Sequence, residues 1–69
     1  MKKYYEIIRE LREDGDYTQK QIADILNTTQ QVYSRCENGL NELPLRHLVV
    51  LCRFYNVSSD YVLGLNSNK

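Results

Sequence analysis

An all-α fold of five short helices is what this sequence predicts, on three observations. Apolar residues recur at three- and four-residue spacing in successive segments, residues suited to helix caps precede those segments, and no segment alternates apolar with polar residues as a half-buried strand would. No repeat or low-complexity stretch interrupts the pattern. The 69 residues fit one small domain, near the size at which a single core only just suffices. We assign residues 1–65 to that domain and 66–69, NSNK, to a polar tail.

Each element has its own signal. Tyr4, Ile8 and Leu11 share a helical face that runs through Asp14, and Gly15 follows where a helix commonly ends in a left-handed residue. Thr18 with Gln21 three residues on makes a capping box for a second helix of about eight residues, with Ile22, Ala23 and Leu26 inward. Asn27 tolerates the left-handed conformation, and Thr28 or Thr29 can cap a third helix. These two helices are therefore joined by a tight turn. The third runs from about Gln30 to Glu37 and stops at Asn38-Gly39. Pro44 suits the first position of a fourth helix with Leu48, Leu51, Cys52 and Tyr55 inward, ended by Asn56. Ser58 caps a last helix through Leu63, with Asp60 favoured in its first turn by the helix dipole, before Gly64.

Composition narrows the chemistry. Nine basic residues balance nine acidic ones, so any attraction to a polyanion must be local to one face. Cys36 and Cys52 lack CxxC spacing and sit among apolar residues, as reduced packing thiols would. His47 has no second ligand at suitable spacing and reads as a surface residue, so no metal or other cofactor is expected. Of the six tyrosines, Tyr33 and Tyr55 fall on core faces and the rest are dispersed, which favours packing over a base-stacking platform. No phosphate-binding loop, carboxylate pair or Ser/His arrangement is present, so no residue is a candidate for catalysis and no small-molecule ligand is expected. No signal peptide is visible, and the longest apolar run, LVVLC, is far too short to span a membrane; a cytoplasmic protein is expected.

The stretch TTQQVYSRCENG carries most of the information. Wound as a helix, it places Tyr33, Cys36, Glu37 and the following Leu40 near one side, with Gln31, Arg35 and Asn38 on another. A glutamate facing the core needs a partner, and Arg12, beside Ile8 and Leu11, is the natural one. The alternative is a solvated Glu37 and a surface Arg12. The outward set, joined by Gln30, offers the forked amide and guanidinium groups that match base edges in the major groove, glutamine for adenine and arginine for guanine. Val32 or the Thr29 methyl could meet a thymine methyl. Lys20 and Ser34, on the same pair of helices, complete the candidate DNA-binding set.

YTQKQIADILNTTQQVYSRCENG followed by LPLRHLVVLCRFYNVSSDYVLGL resembles the lambda-repressor-like helix-turn-helix family of phage repressors, Cro proteins and XRE-type regulators, over roughly Ile7 to Leu65. The resemblance implies that Gln19 opens the second helix at the DNA backbone and can brace Gln30. It implies that Gln30, Gln31 and Arg35 read bases, that Asn38 meets phosphate, and that Arg12 and Glu37 form a buried ion pair. The chain departs from the pattern at Asn27, where the family usually has glycine. Cys36 replaces a larger side chain and should loosen packing between the third and fourth helices. The loop Leu40-Asn41-Glu42-Leu43 lacks the cations that some phage repressors set against the backbone.

The reading is a sequence-specific regulator of transcription, most simply a repressor on a double-stranded operator, with no sensor domain. A two-fold homodimer through Val57, Tyr61 and Leu65, on an inverted repeat, would supply the binding energy that a neutral chain with one reading helix lacks. The alternative is a protein-interaction module, an antitoxin or adaptor, with DNA contact secondary.

Overall fold

The computed structural model describes residues 2–68; Met1 and Lys69, the outer ends of the assigned domain and tail, lie outside them. Five helices follow one another: α1 Tyr4–Asp14, α2 Gln19–Ile25, α3 Gln30–Glu37, α4 Leu45–Tyr55 and α5 Ser59–Val62, with no strand among the described residues. Their inner faces meet in one core built from Ile7, Ile8 and Leu11 of α1, Ile22 and Ala23 of α2, Leu26 just beyond it, Tyr33 of α3, Leu48 and Leu51 of α4, and Val62 of α5. Every helix contributes, so each is held mainly by packing, as helices this short must be.

Local chemistry sets the boundaries. Glu6 accepts from the Lys3 amide at 2.9 Å and starts α1. Thr18 and Gln21 form the capping box reciprocally, at 3.1 and 2.8 Å. Thr29, not Thr28, caps α3 by accepting from the Val32 amide at 3.2 Å. Ser58 does the same for α5 from Tyr61. Asn27 turns the chain at φ 60°, and Asn56 ends α4 at φ 56°. Four residues, 26–29, therefore suffice to reverse direction between α2 and α3.

Several expectations are corrected. The left-handed residue after α1 is Asp16, at φ 60°, whereas Gly15 has an ordinary φ of −87°. Glycine suits position 15 for space: a Cβ there would lie 2.6 Å from the Tyr17 ring. Pro44 precedes α4 as its cap, and the helix begins at Leu45. The helix α5 ends at Val62, one residue short of the expected Leu63. Leu40, expected inward, is 64% exposed, because Gly39 at φ 75° turns the chain away before another helical turn can form. A Cβ at Gly39 would also press on the Tyr5 ring at 3.0 Å.

His47 is the clearest correction, for it is only 6% exposed. It lies four residues before Leu51, hence about 40° around the helix from that fully buried side chain. Burial and the neighbouring Arg46 charge hold its pKa below the usual histidine value. Cys52 and Tyr55 are only partly buried, because the end of α4 packs laterally: Tyr17 from the α1–α2 loop lies 5.1 Å from Phe54 and 6.4 Å from Tyr55, ring to ring. Both cysteines are free thiols whose pKa burial raises.

Candidate nucleic-acid interface

The inner side of α3 is fixed by one carboxylate. Glu37 is fully buried, and Arg12 grips it with both edges of its fork, Nε to Oε2 at 2.7 Å and Nη2 to Oε1 at 3.1 Å. The third Arg12 group, Nη1, donates to the Tyr17 carbonyl at 3.0 Å, so the pair also pins the loop ahead of α2. Gln19 at the start of α2 donates its amide to Glu37 Oε1 at 3.1 Å. Burial alone would raise the Glu37 pKa. The Arg12 and Gln19 hydrogen bonds, with the Tyr33 hydroxyl close by, outweigh it and hold the carboxyl below the usual range. The same carboxylate holds the Arg12 pKa above its ordinary value. For Tyr33, burial first and the nearby negative charge second keep the proton on the hydroxyl. Three elements, α1, α2 and α3, thus converge on one ionised group.

With that side locked, the opposite side of α3 is determined. Gln30, Gln31, Val32 and Arg35 are exposed and Ser34 partly so. Gln19, Gln30, Gln31, Ser34 and Arg35 together line one open depression at the junction of α2 and α3. With the Asn41 amide oriented to satisfy its neighbours, its oxygen accepts from Arg35 Nε at 3.3 Å, which steadies the guanidinium. The Thr29 hydroxyl is occupied as a cap, which leaves its methyl as the contacting group. Lys20 is exposed on α2, 3.5 Å from Asp24. Chemically the depression presents hydrogen-bond donors and acceptors and one cation, and it is open enough to admit a flat polar edge.

Gln19 lines that depression with Gln30 while its amide nitrogen donates to Glu37. Other expected residues sit elsewhere. Asn38 lies at the end of α3 with its Oδ1 accepting from Arg9 Nη2 at 2.8 Å, and the same Nη2 donates to the Glu37 carbonyl at 3.1 Å. Arg9 is thus a member of the cluster that sequence reading missed; its place at i−3 from Arg12, one turn back on α1, was the available signal. The Cys36 thiol lies 3.8 Å from the Glu42 carbonyl, so its neighbour is the loop before α4. Val57 and Tyr61 are half-buried, and Leu65 is 67% exposed. Among the described residues, no group of His, Cys, Asp or Glu is placed to hold a metal ion, and no helix is long and apolar enough to cross a membrane.

The chain is similar to known proteins in sequence and in fold. A family model described as helix-turn-helix matches residues 8–62. The chain is 35% identical over 65 residues to the uncharacterized HTH-type transcriptional regulator YobD of Bacillus subtilis, covering 94% of this chain and 58% of that protein. It is 37% identical over 57 residues to the HTH-type transcriptional regulator ImmR of the same organism, covering 83% of this chain and 45% of the relative. The chain thus spans about half the length of these relatives. Among solved structures, the P22 c2 repressor protein in complex with synthetic operator 9T superposes with a TM-score of 0.85 over 96% of this chain and 100% of that one, at 21% identity. At that identity the likeness is one of fold.

Proposed function

This chain belongs to the helix-turn-helix family, and on that premise we propose that it binds double-stranded DNA sequence-specifically, with α3 in the major groove, as a regulator of transcription. The observation that carries the reading is the exposed face of α3. Gln30, Gln31 and Arg35 line one depression, while Glu37 on the reverse side fixes the helix against α1 and α2. Glutamine can pair bidentately with adenine and arginine with guanine, and both need a helix held rigidly enough to present the fork. The relatives named as transcriptional regulators, and the neighbour captured on an operator, support the same reading and do not favour a protein-interaction module. The simplest action is repression, by occupying an operator in the cytoplasm.

One molecule measures 29 × 22 × 21 Å. It cannot reach two half-sites whose centres lie roughly 34–36 Å apart, and a chain of zero net charge gains little from general backbone attraction. A two-fold homodimer on an inverted repeat follows, with Val57, Tyr61 and Leu65 as its contact. Val62 is consumed by the core, whereas Leu63 and Leu65 leave apolar surface for a neighbour to cover. A gel shift against the DNA upstream of its own gene tests the reading. Retardation that survives excess mixed-sequence competitor is expected, and binding that any duplex abolishes equally would contradict it.

A further inference from the structure

We propose that Arg9, with Asn38, forms a phosphate clamp at the C-terminal end of α3; the assignment rests on the DNA-binding reading above and adds the cation that anchors the reading helix to the backbone. Glu37 brings one negative charge to a place where two guanidinium groups meet, Arg12 at 2.7 Å and Arg9 at 3.8 Å. Arg12 takes both carboxylate oxygens and is largely buried, its side chain 14% exposed. The charge of Arg9 is therefore in surplus, on a side chain 43% exposed. In a chain of zero net charge, whose loop from Leu40 to Leu43 carries Glu42 and no lysine or arginine, a local surplus of this kind is where a polyanion would be held.

Hydrogen-bond geometry points the same way. Arg9 Nη2 is occupied by the Glu37 carbonyl and Asn38 Oδ1, and these two contacts fix the plane of the fork. Its Nη1 donors have no partner among the described residues. Because the Asn38 oxygen faces Arg9, its amide nitrogen is turned away from that contact, toward any acceptor outside. Two donor groups, one charged, are thus carried by two side chains that are joined to each other at the end of α3, a fit for the oxygens of a phosphodiester. Without Arg9 that end would repel phosphate, since the terminal carbonyls carry the negative pole of the helix.

Placement fits as well. Asn38 follows Ser34 by four residues and Gln31 by seven, so it continues the reading stripe by one turn. An eight-residue helix is about 12 Å long, matching a major groove about 12 Å wide. A helix that enters with its first residues at base edges carries its last residues to the level of the backbone.

The test is the salt dependence of binding to a labelled mixed-sequence duplex, read by fluorescence anisotropy between about 25 and 200 mM salt. Wild type is compared with Arg9→Ala, Arg9→Gln and Arg9→Lys, and with Asn38→Ala alone and combined with Arg9→Ala, after circular dichroism has confirmed their helical content. Loss of one phosphate contact should weaken binding about three- to tenfold at low salt and reduce the slope of log K against log salt by about 1 in both Arg9→Ala and Arg9→Gln. Arg9→Lys should keep the slope, and Asn38→Ala should cost less in the Arg9→Ala background than alone. A wild-type slope in a folded Arg9→Gln variant overturns the clamp while leaving DNA binding intact. Failure of the wild type itself to bind duplex at low salt overturns the DNA-binding reading and the clamp with it.

Discussion

Glu37 shows how a single residue can carry a fold. Its carboxylate is satisfied by donors from α1 and α2 while its own backbone belongs to α3, so removing it strands a buried guanidinium and unties three elements at once. Glu37→Ala should cost roughly 3–5 kcal/mol in chemical denaturation, several times the loss from an exposed ion pair. The pH dependence follows from the lowered carboxyl pKa. The stabilisation is complete above the ordinary value of 4.5 and is lost as pH falls through the depressed folded value, so acid unfolding should begin below pH 4.5 and be blunted in Glu37→Gln. His47 acts in a different window. Its folded pKa lies below 6.5, so the unfolded chain takes up its proton first and stability falls as pH drops through 6.5. Thermal melts between pH 7.5 and 5.5 should show that decline in the wild type and a flatter profile in His47→Gln.

At the scale of the element, the α2–α3 pair is held by local devices on one side and by the Arg12–Glu37 ion pair on the other; both were legible, whereas the hydrogen bonds that reach that pair from a distance were not. The Thr18–Gln21 box, the left-handed Asn27 and the Ser58 cap act within three residues of chain, where sequence spacing is the geometry. The Gln30–Glu37 span could be read for the same reason. Gln19 reaching Glu37 across 18 residues, Arg9 reaching Asn38 across 29, and the inward rotation of His47 depend on the angle at which helices pack, which periodicity does not contain. Gly15 misled because its requirement is a ring two residues away, whereas the turn itself is made by Asp16. The exposed face of α3 was legible once its inner face was known. Gln31→Ala and Arg35→Ala should each weaken binding to a selected site by about 1–3 kcal/mol and leave affinity for mixed-sequence duplex nearly unchanged, in contrast to the uniform loss expected at Arg9. Competition titrations on the two DNAs separate these behaviours.

For the whole molecule, neutrality is the governing quantity. Equal numbers of acidic and basic residues keep non-specific attraction low, so in the proposed function occupancy of a site would rest on base contacts, a few placed phosphate contacts and a second copy of the chain. The charge arrangement agrees with that division. Lys20 is partly spent on Asp24 and Lys2 on Glu10, while Arg35, in the last turn of α3, and Arg9, on Asn38 just beyond it, both stand toward the C-terminal end of that helix. The central claim, that α3 reads duplex sequence, is tested most directly by incubating sheared genomic DNA with the purified protein and sequencing the retained fragments. The same selection is run in parallel with a folded Gln30→Ala, Gln31→Ala, Arg35→Ala variant. The account predicts that the wild type enriches a small set of fragments sharing an inverted repeat and that the variant enriches none of them. Retention of the same fragments by both proteins, or no enrichment by the wild type, would contradict it.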